Sequence, residues 1–174
     1  MNSIERLSHV VEEIDYLCAE RNMLAAEGPH FRVIHEGHQQ GTLCLHGETI
    51  EQICLVHRWN LFPLPLSPTG LLVMDCFCRN RLKPLTTSRI TQILDTDPFY
   101  TRHGANLCIG KLVPASPGRS AIKVYVQRIR RQIASAFDSA GVMLDPNRIL
   151  ISETTENNVV AYTLRASVEF VHRP

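Results

Sequence analysis

The sequence lacks the long apolar segment that a membrane-spanning helix requires. Such a helix needs about 20 consecutive apolar residues, and no apolar run in this chain approaches that length. The first residues are acidic and amphipathic, which is not typical of a signal peptide. The six cysteines are scattered through apolar segments, a pattern typical of reduced thiols in the core of a cytosolic protein. We therefore expect a cytoplasmic location and no membrane partner.

Motifs for metal binding and for catalysis are also missing. Cys76 and Cys78 lie in a predicted helix, where residues two apart point in different directions, and no second cysteine pair completes a zinc site. Histidine pairs such as His46 with His57 are only a weak alternative as metal ligands. No serine has a G-x-S-x-G context, and no glycine-rich loop joins a strand to a helix. The sequence therefore predicts no enzyme, no cofactor and no metal site.

The chain as a whole has no large excess of positive or negative charge, but one stretch is strongly basic. The chain has 18 basic and 17 acidic residues. Residues 119–133, RSAIKVYVQRIRRQI, hold five of the cations and no acid, and without them 13 basic residues stand against 17 acidic ones. A nearly neutral chain is not typical of proteins that bind DNA by charge alone. The pattern favours selective contact through one local patch.

This basic stretch has the periodicity of an amphipathic helix over about residues 119–136, which is expected to continue for a turn or more before Gly141. Its apolar residues recur at i, i+4, i+7 and i+11, which are Ile122, Val126, Ile129 and Ile133. At 3.6 residues per turn, the other side carries Lys123, Val124, Gln127, Arg128, Arg130 and Arg131. A helix with an anchored apolar stripe and a cationic outer face can lie in a DNA major groove. The alternative is a solvated surface helix with a chance excess of arginine.

Residues 1–28 are predicted to form an N-terminal amphipathic helix that ends at Gly28-Pro29. Its apolar stripe contains Ile4, Leu7, Val11, Ile14 and Cys18. Residues 2–27 carry six acids and two bases, so this helix would be repelled by DNA. An apolar stripe needs a partner, which is either the helix's own domain or the same helix of a second chain. We favour the second alternative and expect a homodimer.

Residues 29–174 are predicted to form one α+β domain. Extended segments are expected at residues 30–35, 41–46, 51–59 and 61–66. A helix capped by Ser67 follows to about Asn80. A second helix, capped by Thr86 or Thr87, is expected at residues 88–95, and a long loop at 96–118. After the basic helix, two alternating runs flank the polar turn at residues 156–158, which predicts a β-hairpin whose second strand extends through Val171.

The segment IKVYVQRIRRQI resembles the recognition-helix consensus of OmpR/PhoB-type winged-helix regulators, roughly V-D-V-H-I-x-R-L-R-R-K-I. Identical positions are Val124, Arg128, Arg130 and Arg131, and conservative ones are Ile122, Val126 and Ile129. Tyr125 replaces the usual histidine. The resemblance spans about residues 31–166, but outside the helix it rests on the order and length of elements. It implies a bacterial winged helix-turn-helix with an N-terminal antiparallel β-sheet and a C-terminal β-hairpin wing, here preceded by the N-terminal helix. No receiver domain fits in the residues before the sheet.

The resemblance also implies roles for individual residues. Arg128 matches a position that reaches a base edge, where its planar fork suits guanine. Arg119, Tyr125, Gln127 and Arg130 match positions that contact the DNA backbone. The hairpin tip departs from the family, which carries a threonine and an arginine there, so its residues are expected to touch only backbone. The full predicted DNA-binding set is Arg119, Ser120, Lys123, Val124, Tyr125, Gln127, Arg128, Arg130, Arg131, Thr155, Asn157 and Asn158.

These expectations describe a sequence-specific transcriptional regulator that binds double-stranded DNA. The family's loop between its second and third helices can contact RNA polymerase or a second DNA feature, so the resemblance implies one of these as a further partner for residues 96–118. A competing hypothesis, motivated by the acids of the hairpin and of the N-terminal helix, is a winged-helix module that binds proteins. Such a module would antagonise or pair with another regulator. The five cations of the basic helix argue against it.

Overall fold

The computed structural model describes Glu13, Ile14, Leu17, residues 29–36 and 49–97, Tyr100 and residues 119–173. This part of the chain is mixed α+β. Its helices are α1 (Pro68–Arg79), α2 (Thr87–Thr96), α3 (Arg119–Ala140) and the single turn α4 (Pro146–Ile149). Its strands are β1 (His30–Glu36), β2 (Thr49–His57), β3 (Asn60–Pro63), β4 (Leu85–Thr86), β5 (Leu150–Thr154), β6 (Val160–Leu164) and β7 (Val168–Arg173). None of the helices in these ranges is both long and apolar enough to cross a bilayer.

Side-chain caps set the starts of the first two helices. The Ser67 hydroxyl accepts a hydrogen bond from the Gly70 amide at 3.2 Å, and Pro68 occupies the first helical position. The Thr86 hydroxyl accepts one from the Arg89 amide, also at 3.2 Å, and begins α2. Both helices were predicted, and their observed ends lie within one residue of the predicted ones.

Helix α3 continues beyond residue 136, as predicted, and ends just before Gly141. Gly141 adopts a left-handed φ of 68°, a conformation that glycine reaches without steric cost. The Val142 amide donates to the Phe137 carbonyl at 2.9 Å, and the Gly141 amide donates to the Asp138 carbonyl at 3.2 Å. These two bonds satisfy carbonyls that the end of the helix would otherwise leave open. The helix therefore extends to Ala140.

The apolar stripe of α3 lies in the core, as predicted. All four of its residues are fully buried: Ile122, Val126, Ile129 and Ile133. The same core cluster takes in Val73, Met74 and Phe77 from α1 and Ile90 and Leu94 from α2. Full burial of such side chains contributes roughly 1.5–3 kcal/mol each. The orientation of α3 is consequently fixed, with one side in the core and the other in solvent.

The sheets differ from the predicted arrangement at their C-terminal end. The four-stranded sheet has the order β3-β2-β1-β7, and a three-stranded sheet has the order β4-β6-β5. Strands β1, β2 and β3 pair antiparallel, but β7 pairs parallel to β1, with Phe31 opposite Val168. The predicted N-terminal sheet was antiparallel throughout, which is wrong at this edge. The predicted segment 41–46 lies outside the described residues.

The predicted second strand of the hairpin is in fact two strands in different sheets. Strand β6 ends at Leu164, and β7 begins at Val168. Between them, the Arg165 amide donates to the Ile149 carbonyl at 2.7 Å, and the Phe31 amide donates to the Ser167 carbonyl at 3.0 Å. These bonds carry the chain from one sheet to the other. The prediction that one strand extends through Val171 is therefore wrong.

A buried carboxylate joins the first sheet to α1. Asp75 is fully buried, and its Oδ2 accepts hydrogen bonds from Arg79 Nε and from the Tyr100 hydroxyl, each at 2.8 Å. His35 of β1 lies with Nε2 4.0 Å from Asp75 Oδ1. Burial raises the pKa of the Asp75 carboxyl above its usual value, and the Arg79 charge offsets part of this rise.

We expect the Asp75→Asn variant to have a different pH dependence of stability from the wild type. Because the folded pKa lies above the unfolded value of about 3.9, the folded state binds more protons than the unfolded state between the two values. Wild-type stability should therefore fall as pH rises through this window, whereas the variant lacks this contribution. Urea unfolding at a series of pH values from about 4 to 8 measures both. Parallel stability curves for the two proteins would contradict the expectation.

Candidate nucleic-acid interface

The solvent side of α3 presents a continuous cationic surface, which we call the α3 face. Its residues are all exposed: Lys123, Val124, Gln127, Arg128 and Arg131. No acid occurs in the helix sequence before Asp138. Within the described part of the chain, no ion pair engages the three cations of this face. Their charges are therefore available to an anionic partner.

Arg128 is held near the centre of this face by its neighbour one turn earlier. Its guanidinium carbon lies 5.9 Å from the centroid of the Tyr125 ring. A cation at this distance from an aromatic ring is weakly attracted to the π system. Among the described residues, Arg128 has no ion pair that would engage its guanidinium. Its N–H groups are therefore able to donate to a partner outside the protein.

The start of α1 borders the α3 face on one side. A shallow cleft of about 190 Å³ lies there between Pro65, Leu66 and Ser67 and the α3 residues Arg128, Arg131 and Gln132. The hairpin formed by β5 and β6 borders the opposite side, because Arg130 points to β5. The α3 face is therefore flanked by two structural elements rather than lying on an isolated helix.

Arg130 does not belong to the α3 face, and its predicted position there is wrong. The side chain is only 8% exposed. Its Nε and Nη2 donate to the Leu150 carbonyl at 2.8 and 2.5 Å, and Nη2 also donates to Ser152 Oγ at 2.6 Å. Arg130 is close enough to the buried stripe for its long side chain to reach β5. The position matches the consensus, but the side chain has partners inside the protein.

The hairpin tip, residues 155–159, is stabilised by its own hydrogen bonds. The Thr155 amide donates to the Val159 carbonyl at 2.8 Å, and the Val159 amide donates to Thr155 Oγ1 at 3.3 Å. Asn158 takes a left-handed φ of 56°, which asparagine tolerates better than most residues. Of the three tip residues predicted to bind DNA, Asn157 and Asn158 are exposed and Thr155 is half-buried. Two exposed acids, Glu153 and Glu156, make this region negative.

The remaining predicted residues are described only in part. Arg119 and Ser120 form the first turn of α3, and their side chains lie outside the described residues. Of the predicted dimerisation stripe, Ile4, Leu7, Val11 and Cys18 also lie outside them. Ile14 is helical and 53% exposed, as is the neighbouring Leu17 at 49%.

Three residues could not be recognised from the sequence: Ser152, Tyr162 and Trp59. Ser152 and Tyr162 are partners of Arg130, and the sequence of a strand does not indicate which distant side chain will bind to it. Trp59 is fully exposed beside Arg58 in the turn between β2 and β3. Both residues of that turn have positive φ, 48° for Arg58 and 68° for Trp59. Two-residue hairpin turns of this kind usually contain asparagine or glycine, and neither residue is present at these two positions to mark the turn.

Metal-binding chemistry has no assembled site in the described ranges. No three His, Cys, Asp or Glu side chains there are grouped as a metal ion would need. Comparison of the chain with known protein families, with curated proteins and with solved structures found no match. The α3 face is accordingly the feature on which a functional argument rests.

Proposed function

We propose that this protein is a sequence-specific DNA-binding transcriptional regulator with a winged-helix domain, and that α3 lies in the major groove. The observation that carries the proposal is the α3 face, where three exposed cations and no acid project from a helix anchored in the core. A helix of this kind fits the groove, which is about 12 Å wide. Phosphates on both edges of the groove would meet these cations.

The arrangement of elements supports the winged-helix assignment. Strand β4 lies between α1 and α2 in the chain and pairs with β6, so the hairpin of β5 and β6 joins a sheet beside the helices. Helices α1, α2 and α3 pack in one cluster. Three helices followed by a β-hairpin, here α1, α2 and α3 and then β5 and β6, are what the resemblance to OmpR/PhoB-type domains implies. The hairpin then corresponds to the wing.

Different residues of the α3 face suit different parts of the duplex. The planar fork of Arg128 can donate two hydrogen bonds to guanine O6 and N7. Val124, an apolar side chain that is 49% exposed among cations, suits the methyl group of thymine. Lys123 and Arg131 suit phosphates, which position the protein without conveying sequence. The negative hairpin makes deep insertion into the minor groove unfavourable, so Asn157 is expected to contact backbone.

We also propose that the protein acts as a homodimer through its N-terminal helix. Ile14 and Leu17 lie three residues apart on this helix, and both are about half exposed. Glu13 pairs with Arg148 of the same chain at 3.5 Å. Glu13 therefore lies beside its own domain, while the side chains of Ile14 and Leu17 remain available to a second copy. Exposed pairs such as Glu13–Arg148 stabilise by about 0–1 kcal/mol, so this contact alone does not hold the helix.

The double substitution Ile14→Glu, Leu17→Glu is expected to convert the dimer to a monomer. Two charges in an apolar contact would have to be desolvated, which costs several kcal/mol, while the fold outside the helix should be retained. Sedimentation velocity at micromolar concentration measures the association state, and circular dichroism measures the helix content. Glu13→Gln is the control and should remain dimeric. A wild-type protein that sediments as a monomer at these concentrations would refute the proposal.

Selection of bound sites from random duplex DNA tests the proposed function. Enrichment of one sequence, followed by titration of that duplex against a scrambled one, is the expected result. The competing protein-binding module predicts no enriched sequence, because its cations would face an acidic protein surface. A specific affinity no more than a few fold above that for scrambled DNA would contradict sequence-specific binding, which typically exceeds non-specific binding by about 10³ or more.

A further inference from the structure

The outer part of the hairpin is connected to α3 through one buried cation. Strand β5 enters the core at Leu150, but its later residues Ser152, Glu153 and Thr154 are exposed. The hydrogen bond from Arg130 to Ser152 is the last one recorded between α3 and the hairpin along β5 in the described residues. Beyond it, the hydrogen bonds that the tip makes with described residues are all internal to the tip. Pairing of β4 with β6 as far as Ala161 fixes the hairpin on the β6 side. On the β5 side, the direction in which the tip projects depends on the contacts of Arg130.

The guanidinium of Arg130 is restrained on three sides. Two of its nitrogens bind the Leu150 carbonyl, and one of these also binds Ser152 Oγ. Its carbon lies 6.0 Å from the centroid of the Tyr162 ring on β6. Both strands of the hairpin thus contact the same planar group. A lysine ammonium could not donate in this planar arrangement, because it is a compact charge without the fork.

Arg130 therefore has a different role from the exposed cations of the α3 face. A charge that is 8% exposed and bound within the protein adds little to the attraction of phosphates. A buried hydrogen-bonded arginine instead fixes the geometry of the elements it joins, since leaving its partners unsatisfied is costly. The distance between the α3 face and the hairpin tip is consequently set by side-chain chemistry as well as by the core.

We propose that Arg130 is a positioning residue that holds the hairpin tip at a defined distance and angle from the α3 face. The inference rests on the proposed DNA-binding function and adds a determinant of its specificity. Contacts made by the helix in the major groove and by the tip on adjacent backbone must be satisfied by the same duplex. A fixed spacing permits both only on DNA of suitable shape. Arg130 therefore contributes to discrimination between sites without touching DNA.

The test compares Arg130→Lys and Ser152→Ala with the matched control Arg131→Met. Hydrogen exchange of the hairpin is measured without DNA, and affinities for the selected and the scrambled duplex are measured over a salt series. Arg130→Lys should accelerate amide exchange at residues 152–160 by about tenfold and lower the ratio of specific to scrambled affinity by about tenfold. The salt slope should not change. Ser152→Ala, which removes one bond at an exposed residue, should show smaller changes in the same direction.

The control should give the opposite pattern. Arg131→Met removes an exposed cation, so the salt slope should become shallower by about 0.9 for each bound protomer, with hairpin exchange and the affinity ratio unchanged. A role in stability alone would lower the fraction of active protein without altering the ratio. An unchanged ratio in both Arg130→Lys and Ser152→Ala would overturn the proposal while leaving the DNA-binding function intact. A wild-type protein that binds no duplex would refute the function and the positioning role together, whatever hydrogen exchange reveals about the hairpin.

Discussion

The affinity of the wild-type protein for its selected duplex is expected to fall steeply as salt concentration rises. Arg119 at the start of α3 and the exposed Lys123 and Arg131 are the proposed phosphate contacts. Each neutralised phosphate releases a condensed cation, which gives a slope of about −0.9 in log affinity against log salt. Three contacts predict a slope of about −2.7 for one protomer and about −5.4 for a dimer on two half-sites. Between 50 and 200 mM salt, the corresponding losses are about 40-fold and about 2,000-fold.

Fluorescence anisotropy titrations at four or more salt concentrations measure this slope. Lys123→Met should make it shallower by about 0.9 for each bound protomer while weakening all duplexes alike. The matched control is Lys83→Met, which removes an exposed cation elsewhere. Lys83 follows Leu82, whose amide donates to the Leu164 carbonyl at the end of β6 that is remote from the hairpin tip. Slopes near zero for the wild type would refute the proposed interface.

The burial of Arg130 changes what the charge pattern implies. Counting cations along the sequence gives five in residues 119–133, and a regular helix places Arg130 away from the apolar stripe. In the structure its guanidinium is bound to Leu150 and Ser152. A helical projection records the direction of the Cα–Cβ bond and not where a long side chain ends. The number of free cations could therefore not be predicted from the helix alone.

The parts of the fold that the sequence predicts are those with local causes. Ser67 and Thr86 cap helices through bonds to amides three residues on, so their effect is visible within one short segment. The spacing of Ile122, Val126, Ile129 and Ile133 fixes the buried side of α3 because a helix has one period. Both features depend on neighbours in the sequence, and both were predicted.

The parts that the sequence does not predict depend on distant partners. Strand β7 pairs with β1 across the length of the domain, and the residues between β6 and β7, Arg165, Ala166 and Ser167, include no glycine or proline to mark a break. Two alternating runs with no such mark are indistinguishable from one long strand. The contacts of Arg130 with β5 have a similar origin, since Leu150 and Ser152 lie outside the helix, 20 and 22 residues further along the chain.

Replacing Arg128 with alanine is expected to lower specific affinity by about 1–3 kcal/mol, equivalent to roughly 5- to 150-fold. The loss should be confined to one base position, because a bidentate contact to guanine is made by one side chain. The hypothesis is motivated by the exposed position of Arg128 and by its orientation over Tyr125 at 5.9 Å. Titration of duplexes that differ at single positions of the selected site measures the preference at each one.

The controls separate base recognition from charge. Arg128→Lys keeps the positive charge but lacks the planar fork, so it should lose most of the preference for guanine while largely retaining affinity for scrambled DNA. Arg131→Ala should weaken binding to all sequences by a similar factor and leave the preference unchanged. If Arg128→Ala instead weakens every duplex equally and makes the salt slope shallower, then Arg128 contacts a phosphate. Sequence recognition by α3 would then have to come from Val124 and Gln127, the two exposed uncharged side chains of the α3 face.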